Sequence, residues 1–250
     1  MITLKSPREL EVMARAGRIV GETLLLLRET VRPGLTTEDL DAIAEKFIRS
    51  HKGATPSFKG LYGFPKTLCT SIDIEIVHGI PSKKRVLAEG NIVSIDVGVH
   101  LEGMHADAAT TVAVGRVSEE AERLMRATQE SLVAGVAAAR VGNHVGDIGH
   151  AVQTVAEGAG FGVVRELVGH GIGTRFHEDP QVPNYGTPRR GPRLLAGMTI
   201  AIEPMITVGS PATKTLSDKW TIVTADGSLS AHFEHTVAIT DDGPRILTAA

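Results

Sequence analysis

Cysteine, aromatic side chains, surplus charge and long apolar runs are all scarce in this chain of 250 residues. One cysteine, Cys69, excludes an internal disulfide. With 26 Lys+Arg against 29 Asp+Glu the formal net charge is -3, which removes the basic footprint of a nucleic-acid binder. No apolar run is longer than Leu24-Leu25-Leu26-Leu27, far short of the roughly 18 residues that a membrane span needs. The opening stretch from Met1 to Pro7 lacks a basic region, an apolar core and a cleavage site, so no secretory signal is expected and the cytoplasm is the expected location. Aromatics make up only 4%, yet hydrophobic residues reach 42% and charged residues 22%, the composition of a globular protein with a large core.

An internal repeat organises this composition. Arg32-Pro33-Gly34 is followed by Asp39-Leu40, and 108 residues later Arg140-Val141-Gly142 is followed by Asp147-Ile148 at the same spacing. Each copy lies between two helical patterns. Ser6-Pro7 with Glu9 forms a capping box that opens the first helix, and Thr37 to about Lys52, closed by Gly53, forms the second. In the later copy the helices run from Ser118 to Arg140 and from about Val145 to Glu157. The period then changes to that of strands. Ile95-Asp96-Val97 matches Ile202-Glu203-Pro204 at an offset of 107, and Asp107 before Thr110-Thr111-Val112 matches Glu234 before Thr236-Val237 at 127, so about 20 residues are inserted between the second pair of acids. The expected architecture is α+β: a single domain over 1–250, built from pseudo-symmetric helix-helix-strand-strand halves of about 1–117 and 118–250, with helices backing a curved antiparallel sheet.

Asp96, Asp107, Glu203 and Glu234 all interrupt apolar strand sequence. Burying one unpaired carboxylate costs several kcal/mol, so these acids together require cations. A turn near Leu101-Glu102-Gly103 is expected to fold the first pair into a hairpin, with Asp96 within about one residue of directly opposite Asp107. Nearby histidines are His78, His170 and His177, and His170 sits between glycines that allow close approach to a ligand. Gly169, Gly171 and Gly173 do not satisfy the dinucleotide-binding spacing. Four carboxylates and one imidazole are too few for separate closed sites, so some carboxylates should bridge two divalent ions. Such a centre binds a bridging water, polarises a carbonyl and favours hydrolysis. Co, Mn, Fe and Zn all suit these ligands.

With that set assembled, the chain resembles the type I methionine aminopeptidases, which have the pita-bread fold. The matching segments are Cys69-Thr70-Ser71-Ile72, Val77-His78-Gly79-Ile80-Pro81, Ser94-Ile95-Asp96-Val97-Gly98, His105-Ala106-Asp107, Gly169-His170-Gly171-Ile172-Gly173, Phe176-His177-Glu178-Asp179-Pro180, Ile202-Glu203-Pro204-Met205 and Phe233-Glu234-His235-Thr236. The resemblance implies that Asp107 and Glu234 bridge two metals, that Asp96 completes one site, and that His170 and Glu203 complete the other. It implies Glu203 as general base, His177 at the scissile bond and His78 at the peptide nitrogen. The implied substrate is the N-terminal methionine of nascent polypeptides when the second residue is small. Phe64, Cys69, Phe176 and Trp220 would line its pocket, where sulfur-aromatic contacts add up to about 1.5 kcal/mol. A monomer with transient ribosome contact is expected.

Three places depart from the family pattern: Ser71-Ile72-Asp73-Ile74 replaces Ser-Ile/Val-Asn-Glu, Gly98 stands where many members carry threonine, and Leu61-Tyr62 replaces an aromatic-His pair. Two other readings share the fold. An Xaa-Pro aminopeptidase or prolidase-like enzyme usually carries a further N-terminal domain, and Asp96 lies too near the start for that. A non-catalytic pita-bread binding protein would be expected to lack ligands, whereas all five are present. The 31 positions from Glu203 to Glu234 leave no room for the helical insertion of type II members.

Overall fold

The computed structural model describes residues 2–249, so Met1 and Ala250, the outer ends of the expected halves, lie outside the described residues. Among the described residues, four α-helices form where the capping residues place them. In α1, Pro7–Thr30, the Ser6 hydroxyl accepts from the Glu9 N–H while the Glu9 carboxylate accepts from the Ser6 N–H at 2.7 Å, which satisfies both ends of the first turn. Thr36 and Asp39 repeat the device ahead of α2, Thr37–Ser50. Helix α2 stops short of the expected Lys52 because His51 turns to extended backbone and its ring Nδ1–H donates to the Phe47 carbonyl at 3.0 Å, serving the helix C-terminus. Ser118 caps α3, Glu119–Ala138, and Asp147 accepts from the His144 N–H at 2.7 Å to open α4, Val145–Gly158.

All strand pairings are antiparallel. In the first half, Ile92–Leu101 and Met104–Ala113 form a hairpin whose turn residues, Glu102 (φ 49°) and Gly103 (φ 84°), are both left-handed, as a two-residue turn requires. Leu68–Ile72 covers the outer edge of Ile92–Leu101 and sets Cys69 opposite Asp96. In the second half, strands lie side by side in the order Gly243–Ile246, His235–Thr240, Thr199–Ile202, Gly169–Gly171, Glu178–Val182. The halves join where Ala109 and Glu234 exchange both backbone hydrogen bonds, at 2.9 and 3.4 Å. Helices α1 and α2 pack an aliphatic layer including Leu27, Leu40 and Ile48 on Val93, Ile95 and Val97. Helices α3 and α4 do the same for the second half through Leu124, Ile148, Ile200 and Ile202.

The hairpin register corrects one expectation. Asp107 pairs with Gly98 and Asp96 with Ala109, so the two acids are offset by two positions, a diagonal pair, rather than by about one. The reason is parity: an offset of one would have put them on opposite faces of the sheet, whereas two keeps both on the same face. In the second half, the register that pairs His235 with Ile202 brings Glu234 and Glu203 level one step farther on. The inserted residues form a small hairpin, Thr213–Thr215 with Ile222–Thr224, that pairs with Glu75–Val77 of the first half.

A buried ion pair ties the N-terminal segment to the start of the strand Glu178–Val182. Lys5 Nζ donates to Glu178 Oε2 at 2.6 Å with side chains only 5% and 2% exposed, and the Thr3 hydroxyl donates to the same oxygen at 2.7 Å. Burial alone would raise the Glu178 carboxyl, but hydrogen bonds from Lys5, the Arg175 N–H and Thr3 hold it down at about 2. Removing one partner of a buried pair strands the other charge, which costs about 3–5 kcal/mol. Lys5→Met should lower the unfolding free energy by that amount in urea titration. A loss below about 1 kcal/mol would place the pair with exposed ones.

Candidate metal centre and cavity

The four acids line one cavity because the first hairpin supplies Asp96 and Asp107, the adjoining ends of Thr199–Ile202 and His235–Thr240 supply Glu203 and Glu234, and the Ala109–Glu234 seam holds the two pairs edge to edge. Asp107 is fixed further by Thr236, whose hydroxyl lies 2.9 Å from Oδ1 and accepts from the Asp107 N–H at 3.0 Å. Ligand atoms of Asp107, His170 and Glu234 all lie within 4.8 Å of one another. His170 Nδ1–H donates to the Gly171 carbonyl at 2.9 Å, which leaves the Nε2 lone pair free. That nitrogen is 3.6 Å from Asp107 Oδ2 and 3.8 Å from Glu203 Oε1.

Electrostatics makes this cluster unstable on its own. Burial, then the charge of Asp107, drives the Asp96 carboxyl well above its ordinary range. Burial and the neighbouring acids do the same to Glu203 and Glu234. Burial lifts Asp107 to about 6 despite its bond to Thr236. Among the described residues no Lys or Arg pairs with any of the four, and Asp96 Oδ1 is buried without a hydrogen-bond partner. Oxygen donors in excess, one neutral imidazole and an orphaned carboxylate oxygen fit divalent cations.

The cluster forms the floor of a cavity of about 330 Å³, and every residue singled out for substrate contact lines it: Phe64, Cys69, His78, Phe176, His177 and Trp220. Phe64 and Trp220 meet edge to face at 5.0 Å, so the inserted hairpin completes the wall with the chain's one tryptophan. Phe176 packs edge-on to Phe58 at 5.3 Å. Burial pushes the Cys69 thiol up, with Asp96 adding to it, so Cys69 stays a neutral apolar wall. His78 adopts a left-handed backbone (φ 61°), and burial, then His177, lowers its imidazole to about 4. His177 lies 4.4 Å from His170, ring to ring, and burial lowers it to about 4 as well. Both are neutral at pH 7 and each carries one N–H to donate.

The departures from the family pattern have local causes. Asp73 (φ 55°) accepts from the Asn91 amide at 2.6 Å and the Ile92 N–H at 2.9 Å, holding the entry to the strand that bears Asp96. Tyr62, 74% exposed, stacks on His177 at 5.8 Å and brings its hydroxyl to 3.4 Å from Nδ1. At Gly98 a Cβ would sit 2.9 Å from Phe176 Cε2 and from Ser57 Cβ, so glycine makes room for the aromatic wall. Overpacking costs about 1–3 kcal/mol. Gly98→Ala should therefore displace Phe176 and raise KM about tenfold with metal content unchanged. An unaltered KM would show that the ring moves freely.

His232 is one of the cavity residues outside the expected set, which also include Phe58, Glu166 and Met205. It stands two positions before Glu234, the interval that puts strand side chains on the same face. That interval is the signal that could have found it.

Comparison with known proteins agrees in extent. Residues 11–241 match metallopeptidase family M24. The methionine aminopeptidase of Clostridium perfringens is 58% identical over 248 residues, covering 99% of each chain, and methionine aminopeptidase 1 of Bacillus subtilis is 52% identical over the same length and coverage. The crystal structure of a methionine aminopeptidase from Thermotoga maritima superposes with a TM-score of 0.98 at 43% identity, covering 100% of both chains.

Proposed function

The chain belongs to metallopeptidase family M24, and from that premise we propose that it is a methionyl aminopeptidase, releasing the N-terminal methionine of nascent polypeptides whose second residue is small. The observation that carries this reading is that Asp96, Asp107, His170, Glu203 and Glu234 line one cavity together with aromatic side chains, with ligand atoms of Asp107, His170 and Glu234 within 4.8 Å of one another. Asp96, Asp107, His170, Glu203 and Glu234 would hold two divalent cations, with Asp107 and Glu234 shared, Asp96 completing one site, and His170 and Glu203 the other. Bound there, the cations supply Lewis acidity and activate water near neutral pH.

The rest is done by this chain's side chains. Glu203 takes up a proton from the attacking water and hands it to the departing amine. His177 donates its N–H to the carbonyl oxygen as negative charge develops there, and His78 accepts the peptide N–H on its unprotonated ring nitrogen. Phe64, Cys69, Phe176 and Trp220 receive the methionine side chain, whose soft sulfur suits aromatic edges. Among the described residues no helix is long and apolar enough to cross a membrane. The single unpaired Cys69 suits a reducing cytoplasm, where the protein acts as a monomer and meets its substrate at the ribosome.

Incubating the purified protein with Met-Ala-Ser and Ala-Pro peptides, with and without chelator, tests the reading. Release of methionine that stops on chelation is expected. Cleavage of Ala-Pro alone would indicate a proline-directed peptidase, and cleavage of neither would indicate a binding protein.

A further inference from the structure

The centre holds one polar group that the mechanism leaves idle. His232 ends the strand Ser230–His232 and is only 2% exposed. Its backbone is fixed twice by one hydroxyl: the His232 N–H donates to Thr111 Oγ1 at 2.9 Å, and Thr111 Oγ1 donates to the His232 carbonyl at 2.8 Å. Met205 pairs with His232 across the ladder, so the strand that begins two residues after Glu203 also sets the position of this ring. Against that rigid backbone, the ring nitrogen Nε2 is buried with no hydrogen-bond partner. It faces Glu203, whose Oε2 lies 3.8 Å away, while the other carboxylate oxygen, Oε1, lies 3.8 Å from His170 Nε2.

A buried ring nitrogen without a partner is rare and costs free energy. The gap of 3.8 Å is too long for a hydrogen bond but is closed by a small turn of the glutamate, the more flexible of the two side chains. Contacts of this kind commonly tighten as a site fills. We propose that His232 is the positioning residue of Glu203: its Nε2–H holds Oε2, so that Oε1 stays turned towards Asp107, His170 and Glu234 and the carboxylate keeps one orientation. The inference rests on the reading of Glu203 as the proton carrier. A glutamate otherwise samples several rotamers, and freezing one before the substrate arrives is how a second group makes a base effective. The role is orientation, and proton transfer remains with Glu203.

The test compares His232→Leu with His232→Gln, whose amide N–H can donate from nearly the same place. For each we would measure kcat and KM on Met-Ala-Ser, a Mn2+ titration by calorimetry on the metal-free protein, and a thermal melt. His232→Leu should lower kcat about 10- to 100-fold, the range for partners that orient metal ligands, with KM within twofold and two ions still bound. His232→Gln should recover most of the rate. Wild-type kcat in the Leu variant overturns the proposal, and so does a Gln variant as slow as Leu. Loss of one of two bound ions in the Leu variant also overturns it, by making His232 a ligand. Should wild-type protein leave Met-Ala-Ser uncut, the functional reading falls and this inference with it; an active wild type matched by the Leu variant removes this inference alone.

Discussion

Glu203→Gln should reduce kcat on Met-Ala-Ser by about 10²- to 10⁴-fold while leaving the fold intact, which is the usual contribution of a positioned acid-base group. Glutamine keeps the shape of the side chain and one carbonyl oxygen, but it cannot accept a proton. Glu203 lies between two imidazoles, with Oε1 3.8 Å from His170 Nε2 and Oε2 3.8 Å from His232 Nε2, so an amide fits the same space. Steady-state kinetics over a metal titration separates proton transfer from ligation: metal affinity should weaken with the lost carboxylate, and kcat should stay collapsed at metal concentrations that saturate the sites. Turnover within tenfold of wild type would remove Glu203 from proton transfer.

Asp107→Asn should have the second large effect, and it should act in opposite directions with and without metal. With metal, the carboxylate proposed to be shared between both ions is lost, and affinity should fall by well over the roughly 100-fold seen when mere supporting groups are removed. Without metal, the same change should stabilise the protein. The Asp107 carboxyl is raised by burial from 3.8 to about 6 in the folded state. A group raised in this way contributes stability that is complete below the unfolded value and is lost as pH rises through the folded one. The asparagine has no charge to lose, and its absence also relieves Asp96, Glu203 and Glu234, all of which Asp107 pushes up. Thermal melts in chelator should therefore show little difference between the two proteins at pH 4 and an advantage for the variant that grows towards pH 7. Adding Mn2+ should reverse the order, because an ion that binds only the folded wild type stabilises it in proportion to the logarithm of its concentration over Kd. A variant that melts below metal-free wild type at pH 7 would contradict the electrostatic account.

Much of this centre was legible along the chain because its causes are local. The capping boxes at Ser6 and Thr36 bring donor and acceptor together within three residues, so the helices begin where those residues say. The acids stood out because strands that bury both faces have no ordinary use for Asp96 or Glu203. What escaped depends on contacts that no short window contains. The two-residue turn at Glu102-Gly103 decides the diagonal between Asp96 and Asp107, and a shift of one residue in that turn is invisible in the apolar pattern. The bond between Lys5 and Glu178 spans 173 positions. The inserted segment between Glu203 and Glu234 looked like a mere length difference, yet it folds back onto Glu75–Val77 and carries Trp220 to Phe64. His232 escaped because a lone histidine on a strand has many uses, and only the absence of a partner for its Nε2 marks it.

The seam at Ala109 and Glu234 gives the protein a property of its own. Glu234 gives its peptide group to the opposite hairpin, and its side chain belongs to the group that could hold a metal ion, so departure of metal and parting of the two hairpins would strain the same residue. The backbone proton of Glu234 is thus a built-in gauge: its exchange with deuterium should slow as the centre fills, reporting occupancy from inside the protein in the absence of any peptide.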